Sequence, residues 1–166
     1  MAENIASMRV TQIQTERLRL LPQTIEEVRA QIDGMDAEQR AELSPQWLAR
    51  LEDGTADLWT LGFAIVHRTI GAVIGTCGFK GPPSDGIVEI AYGVAPEYQG
   101  NGYATEAAEA LVTYAFNVDP VRVVRAHTIS NANASARVLV KCGFQSVGQV
   151  VDLEDGLVWR WEATAP

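Results

Sequence analysis

Between Leu58 and Ala115 the hydrophobic period of this chain changes once, and the change falls at a glycine-rich loop. Before the loop, Leu58 to His67, Gly71 to Lys80 and Ile87 to Val94 are β-rich runs separated by short turns, Arg68-Thr69 and Gly81 to Gly86. That spacing predicts three consecutive antiparallel strands. The third run is apolar on both faces except at Glu89, the pattern of a central strand covered on both sides. After Gly102 the residues Ala104, Ala107, Ala108, Leu111 and Ala115 fall at helical spacing, with Glu106 and Glu109 off the stripe and Asp119-Pro120 as the stop. A strand that runs through glycines straight into an amphipathic helix predicts a mixed α/β architecture.

The flanks fit the same class. Ile13 to Leu21 reads as a first strand closed by Pro22. Thr24 and Glu27 form a capping box that opens a helix ended by Gly34, and Ser44-Pro45 starts another that Asp53-Gly54 stops. Val121 to Thr128 is a further strand, Asn133 caps a short helix ended by Gly143, and Gln145 to Glu162 is a hairpin turning at Asp155-Gly156. The expected order is β-α-α-β-β-β-α-β-α-β-β, one seven-stranded, mostly antiparallel sheet flanked by about four helices.

With 166 residues the chain is expected to form one domain over residues 1–166 and to bury an ordinary core without structural metal or disulfides. Its formal charge of −8 opposes nucleic-acid and anionic-membrane binding and favours cationic substrates. Met1 to Asn4 has no basic region or apolar stretch of a signal peptide, and no apolar run is long enough to span a bilayer. Cys77 and Cys142 lack CxxC spacing and read as free buried thiols. The expectation is a soluble cytoplasmic protein.

The segment Gly93 to Glu106 is where chemistry is expected. Backbone N–H groups at a helix N-terminus, unobstructed by side chains at Gly100 and Gly102, suit an anion such as a pyrophosphate. A plain strand-to-helix turn that needs glycine for its dihedrals is the competing reading. Here the sequence resembles the GNAT superfamily of N-acetyltransferases, whose Gln/Arg-x-x-Gly-x-Gly/Ala pattern matches Gln99-Gly100-Asn101-Gly102-Tyr103-Ala104. Val88 to Val94 before it, Asn133 to Leu139 and Lys141 to Phe144 after it, and Thr15 to Leu20 at the start extend the likeness. The last of these is similar to the branch of ribosomal-protein-alanine acetyltransferases.

The resemblance implies acetyl-coenzyme A as donor and a fold of the expected kind. It implies that the pantetheine arm pairs with backbone from Tyr92 to Val94, that the pyrophosphate lies on the amides from Gly100 to Thr105, and that Asn133 touches the arm. It also implies the Val94 N–H as oxyanion donor. The acceptor it implies is an amine, on a peptide N-terminus or a small molecule, that attacks the thioester directly without a covalent enzyme intermediate. No metal is called for, and the protein is expected as a monomer or homodimer.

Amine acetylation needs a neutral amine, an oxyanion donor and help for the departing thiolate. Glu89 is the first candidate base, because burial in an apolar strand should raise its pKa; pairing with Lys80, Arg122 or Arg125 is the competing role. His127 is the second. Where many members of the family carry a tyrosine on the last helix, this chain has Leu139, so Ser135 becomes the candidate thiolate partner, with a helix-start hydroxyl as its plainer role. Trp47, Trp159 and Trp161 are candidates to line the acceptor pocket or to pack in the core. The alternative to an enzyme is a non-catalytic acyl-coenzyme A-binding regulatory module, which the substitution by Leu139 would favour.

Overall fold

The computed structural model describes residues 12–54, 56–118 and 121–166, so the readings of Met1 to Asn4 and of Asp119-Pro120 lie outside the described residues. Its strands are β1 (Ile13–Gln14), β2 (Leu18–Pro22), β3 (Phe63–His67), β4 (Val73–Phe79), β5 (Ile87–Val94), β6 (Val123–Thr128), β7 (Gln145–Asp152) and β8 (Gly156–Thr164). They form one sheet in the order β1-β2-β3-β4-β5-β6-β8-β7. Every described pairing is antiparallel except β5 with β6, the pair joined by the helical crossover. The helices are α1 (Ile25–Asp33), α2 (Ala37–Ala41), α3 (Pro45–Glu52), α4 (Leu58–Leu61), α5 (Tyr103–Phe116) and α6 (Ala134–Lys141), with a 3-10 turn at Pro96–Tyr98.

The mixed, mostly antiparallel class is as expected, but two element counts are corrected. The expected first strand is two strands. Thr15 makes a turn in which its hydroxyl accepts the Leu18 N–H at 3.1 Å, and Ile13 pairs back on Leu20, so eight strands replace seven. The expected strand from Leu58 begins as a helical turn. Asp57 caps it through the Trp59 N–H at 3.0 Å, and Gly62 ends it at a φ of 70°. Trp59 thereby packs against Phe79, ring centroids 4.7 Å apart and planes tilted by 57°, instead of lying in the sheet.

The core lies between the sheet and α5. Leu18 and Leu20 on β2, Phe63 and Ile65 on β3, and Val88 and Ile90 on β5 alternate into it and are all buried. Ala107, Ala108, Leu111 and Ala115 form the facing stripe of α5. The three alanines of this stripe let the helix axis approach the sheet closely, with its N-terminus at the end of β5.

Candidate active site

β5 pairs with β4 as far as Val94, opposite Gly75. Its pairing with β6 covers only Ile87, Val88 and Glu89, whereas β6 goes on to pair with β8 through Thr128. The two strands therefore part beyond Glu89. The Lys80 N–H donates to Glu89 O at 2.9 Å and the Ala95 N–H to Ile74 O at 2.8 Å. Antiparallel bonding alternates, so Glu89, Ala91, Gly93 and Ala95 turn their backbone groups toward β4 and leave those of Tyr92 and Val94 directed into the gap. The Val94 carbonyl accepts from Gln99 Nε2 at 2.9 Å, so its N–H is the group left directed into the gap. The expectation of a strand covered on both faces holds only for its first half; Ala91 and Gly93 are exposed.

The loop after Val94 leads into α5. Gly100 and Gly102 take φ values of 81° and 83°, a region costly for residues with a Cβ. Asn101 Nδ2 holds the loop by donating to Tyr98 O at 3.1 Å. Gly102 precedes α5 without a side-chain cap, so the amides of Tyr103, Ala104 and Thr105 in the first turn have no capping side chain there. The gap between the strands and these amides are continuous along the chain.

α6 closes the other side. Asn133 caps it, Oδ1 accepting the Ala136 N–H at 2.8 Å; its amide nitrogen takes no part in that bond. Leu139 is fully buried in the core. Ser135 Oγ lies 3.1 Å from the Tyr92 hydroxyl, which also reaches Ser135 O at 3.1 Å. A phenol absent from the last helix thus reaches its first turn from β5. The signal was available: Tyr92 shares strand parity with Val88 and Ile90, the residues that face the helices. Burial raises the Tyr92 pKa, and the proximity of Cys142 adds to this against the Ser135 hydrogen bond. Burial pushes both thiols up to about 12, leaving neither Cys77 nor Cys142 as a thiolate nucleophile near neutrality.

Glu89 points to the opposite face, into a chain of polar groups. Arg160 Nε donates to His127 Nε2 at 3.0 Å, which fixes the proton on Nδ1, and Nδ1 meets Glu89 Oε2 at 3.0 Å. Lys80 Nζ lies 3.2 Å from Glu89 and 3.1 Å from Asp155. Burial alone would raise the Glu89 carboxyl, but His127 and Lys80 outweigh it and hold it below its ordinary value. The expectation of a raised pKa is corrected: Lys80, one of its foreseen partners, pairs with it, while Arg125 pairs with Glu162 at 2.7 Å. His127 has both ring nitrogens engaged and a side chain only 4% exposed, so it has no free base. Glu89, His127 and Asp155 also bring three ligand-type atoms within 4.8 Å of one another. The position of a cation between the two carboxylates is already taken by the Lys80 ammonium.

Beside this chain lies a cavity of about 720 Å³ between the sheet and the early helices. Met35, Leu43, Trp47 and Phe79 supply apolar wall, Glu42, Asp155 and Lys80 the charges, and Tyr92 and Gly93 the end next to the strand gap. Trp47 is held there by donating Nε1 to Thr60 O at 2.6 Å. Trp161 is instead buried, donating to Thr128 Oγ1 at 2.9 Å, and Trp159 packs against the core. No described helix is long and apolar enough to cross a membrane.

The chain resembles known acetyltransferases in sequence and in fold. The chain is 31% identical over 93 residues to an uncharacterised N-acetyltransferase, p20, of Bacillus licheniformis; the match covers 55% of this chain and 52% of that protein. It thus spans about half the length of that relative. Among solved structures, the ribosomal-protein α-N-acetyltransferase RimL in complex with coenzyme A superposes with a TM-score of 0.68 at 16% identity, covering 93% of this chain and 98% of that one. A spermidine N-acetyltransferase SpeG chimera from Vibrio cholerae and hSSAT gives 0.68 at 18% identity, covering 90% and 96%. A family model described as an acetyltransferase (GNAT) domain matches residues 1–145, and the chain belongs to that family.

Proposed function

We propose that this protein is an acetyl-coenzyme A-dependent N-acetyltransferase, one domain over residues 1–166, that transfers acetyl directly to a primary amine. The observation that carries the reading is the parting of β5 from β6 after Glu89, which leaves the Tyr92 backbone and the Val94 N–H without a strand partner on that side, beside a helix N-terminus that has no side-chain cap. A pantetheine arm carries amides that suit the unpaired strand, and a pyrophosphate suits the amides from Gly100 to Thr105. Gln99 and Asn101 shape the loop, and Asn133 has its amide nitrogen for the arm. Family membership and two inert thiols favour direct transfer over a regulatory module or a cysteine intermediate.

The Val94 N–H receives the developing oxyanion. The departing thiolate is met by the Tyr92–Ser135 pair: the phenol hydrogen, donated to Ser135 O in the free site, turns to the thiolate while Ser135 Oγ donates to the phenol oxygen and holds it in place. Glu89 acts through charge: ionised at neutral pH, it fixes Lys80 and His127 and contributes to the negative field that draws a cationic amine. A carboxylate below its ordinary pKa is a poor proton acceptor for an ammonium, so the amine sheds its proton to water. An α-amino group with pKa of about 8 is roughly 10% neutral at pH 7, far more than a lysine side chain. The acceptor is therefore an α-amino group or a small-molecule amine of similar basicity, entering by the cavity at Trp47. The free cysteines accord with a reducing cytoplasm.

The test is thiol release from acetyl-coenzyme A with a panel of peptides bearing free N-termini, blocked peptides with internal lysine, and small amines. Turnover with free N-termini or weakly basic amines is the expected result. Coenzyme binding without turnover across the panel would return the protein to the regulatory class.

A further inference from the structure

We infer that Arg17, brought from the β1–β2 turn, is a positioning residue for the coenzyme that supplies the positive charge absent from the loop itself. The inference rests on reading the loop as the pyrophosphate site. Residues 95–106 contain no Lys or Arg and carry two carboxylates, Glu97 and Glu106. Glu106 lies in the first turn of α5, where an uncompensated carboxylate would repel an incoming diphosphate.

The turn before β2 neutralises it. The Arg17 N–H donates to Glu106 Oε2 at 2.8 Å, Arg17 Nε donates to Oε1 at 2.8 Å, and the Thr15 hydroxyl donates to the same carboxylate. Burial pushes the Glu106 carboxyl up, but these donors and the guanidinium charge more than offset it and keep the group ionised. The same guanidinium donates Nη1 to Asn101 O at 2.9 Å and lies 4.6 Å from the Tyr103 ring centroid. A Cβ on Gly102 would stand 3.3 Å from its Nη2, which has no hydrogen-bond partner among the described residues. One side chain therefore touches both flanks of Gly102, cancels the carboxylate behind them and leaves a donor beside the loop.

The experiment is calorimetric titration of the folded protein with coenzyme A and with dephospho-coenzyme A. Arg17→Gln is expected to weaken both about tenfold, the lower end for one charged hydrogen-bonding group, with kcat at saturating donor within about twofold. Adding Glu106→Gln should recover most of the loss, because the stranded carboxylate is gone. A cross-link that merely tied β2 to α5 would show no such recovery. If Arg17→Gln does not fold, Arg17→Lys keeps the charge without the forked contacts, and about threefold weakening is expected. Affinity within twofold of the parent in either folded variant overturns the inference. So does an equal loss in the single and double variants, or a loss seen with coenzyme A alone, which would assign Arg17 to the 3′-phosphate. A Gly102→Glu control separates the two readings: if it too binds normally, the loop is not the coenzyme site.

Discussion

Replacing Glu89 by Gln removes a negative charge from the centre of the Arg160–His127–Glu89–Lys80 chain while keeping its shape. The amide oxygen still accepts from His127, and Lys80 keeps Asp155, 3.1 Å away. What is lost is the carboxylate's charge in the His127 hydrogen bond, at 3.0 Å, and in the ion pair with Lys80, at 3.2 Å. A hydrogen bond to a charged group contributes about 1.5–3 kcal/mol, and with both partners still satisfied the net loss should be about 1–2 kcal/mol. For a chain of this size that lowers Tm by roughly 2–8 °C. The folded carboxyl lies below its unfolded value, so this stability is full at neutral pH and disappears as pH falls through the folded value. The Tm gap between parent and variant should therefore begin to narrow as pH falls to the ordinary carboxylate value of about 4.3, and close as it passes through the lower folded value. In the kinetic assay, kcat/KM of the parent should rise with pH and level near the pKa of the amine. Glu89→Gln should lower it by a similar factor at every pH from 6 to 9. A loss exceeding about 100-fold at pH 7 that vanishes by pH 9 would make Glu89 the general base and refute the electrostatic role.

Two further outcomes follow from the site. Tyr92→Phe should cut kcat by about 10- to 100-fold while coenzyme affinity stays constant, and Ser135→Ala should do so less, since it removes only the partner of the phenol; stopped-flow acetyl transfer measures both, and an unchanged kcat in Tyr92→Phe removes the pair from catalysis. Gly75→Ala should destabilise the fold and weaken coenzyme binding together, because its Cβ would fall 2.1 Å from Gly93 O on the strand that opens the gap; melting and titration check this, and a stable variant with parental affinity contradicts it.

The sequence by itself determined the elements whose periodicity is strong and whose ends are marked locally. Ile87–Val94 and the helix after Gly102 were legible because hydrophobic period and glycine dihedrals are properties of short segments. The caps at Thr24, Ser44 and Asn133 were legible for the same reason. What the residues around Thr15 and Asp57 would do was not, since a turn held by Glu106 from α5 and a helical turn held by Trp59 on Phe79 depend on partners distant in the chain. The same holds for the chemistry. Sequence placed Glu89 alone in an apolar strand, but only the tertiary structure brought Lys80 and His127 to it and reversed the direction of its pKa. The sequence has no tyrosine on the last helix, and it is the fold that brings the Tyr92 phenol from β5 to the first turn of that helix. Local pattern encodes which segments form and which face is apolar; the energy of a charge or a hydroxyl depends on what the fold brings to within about 3 Å of it, and that distance belongs to the tertiary structure.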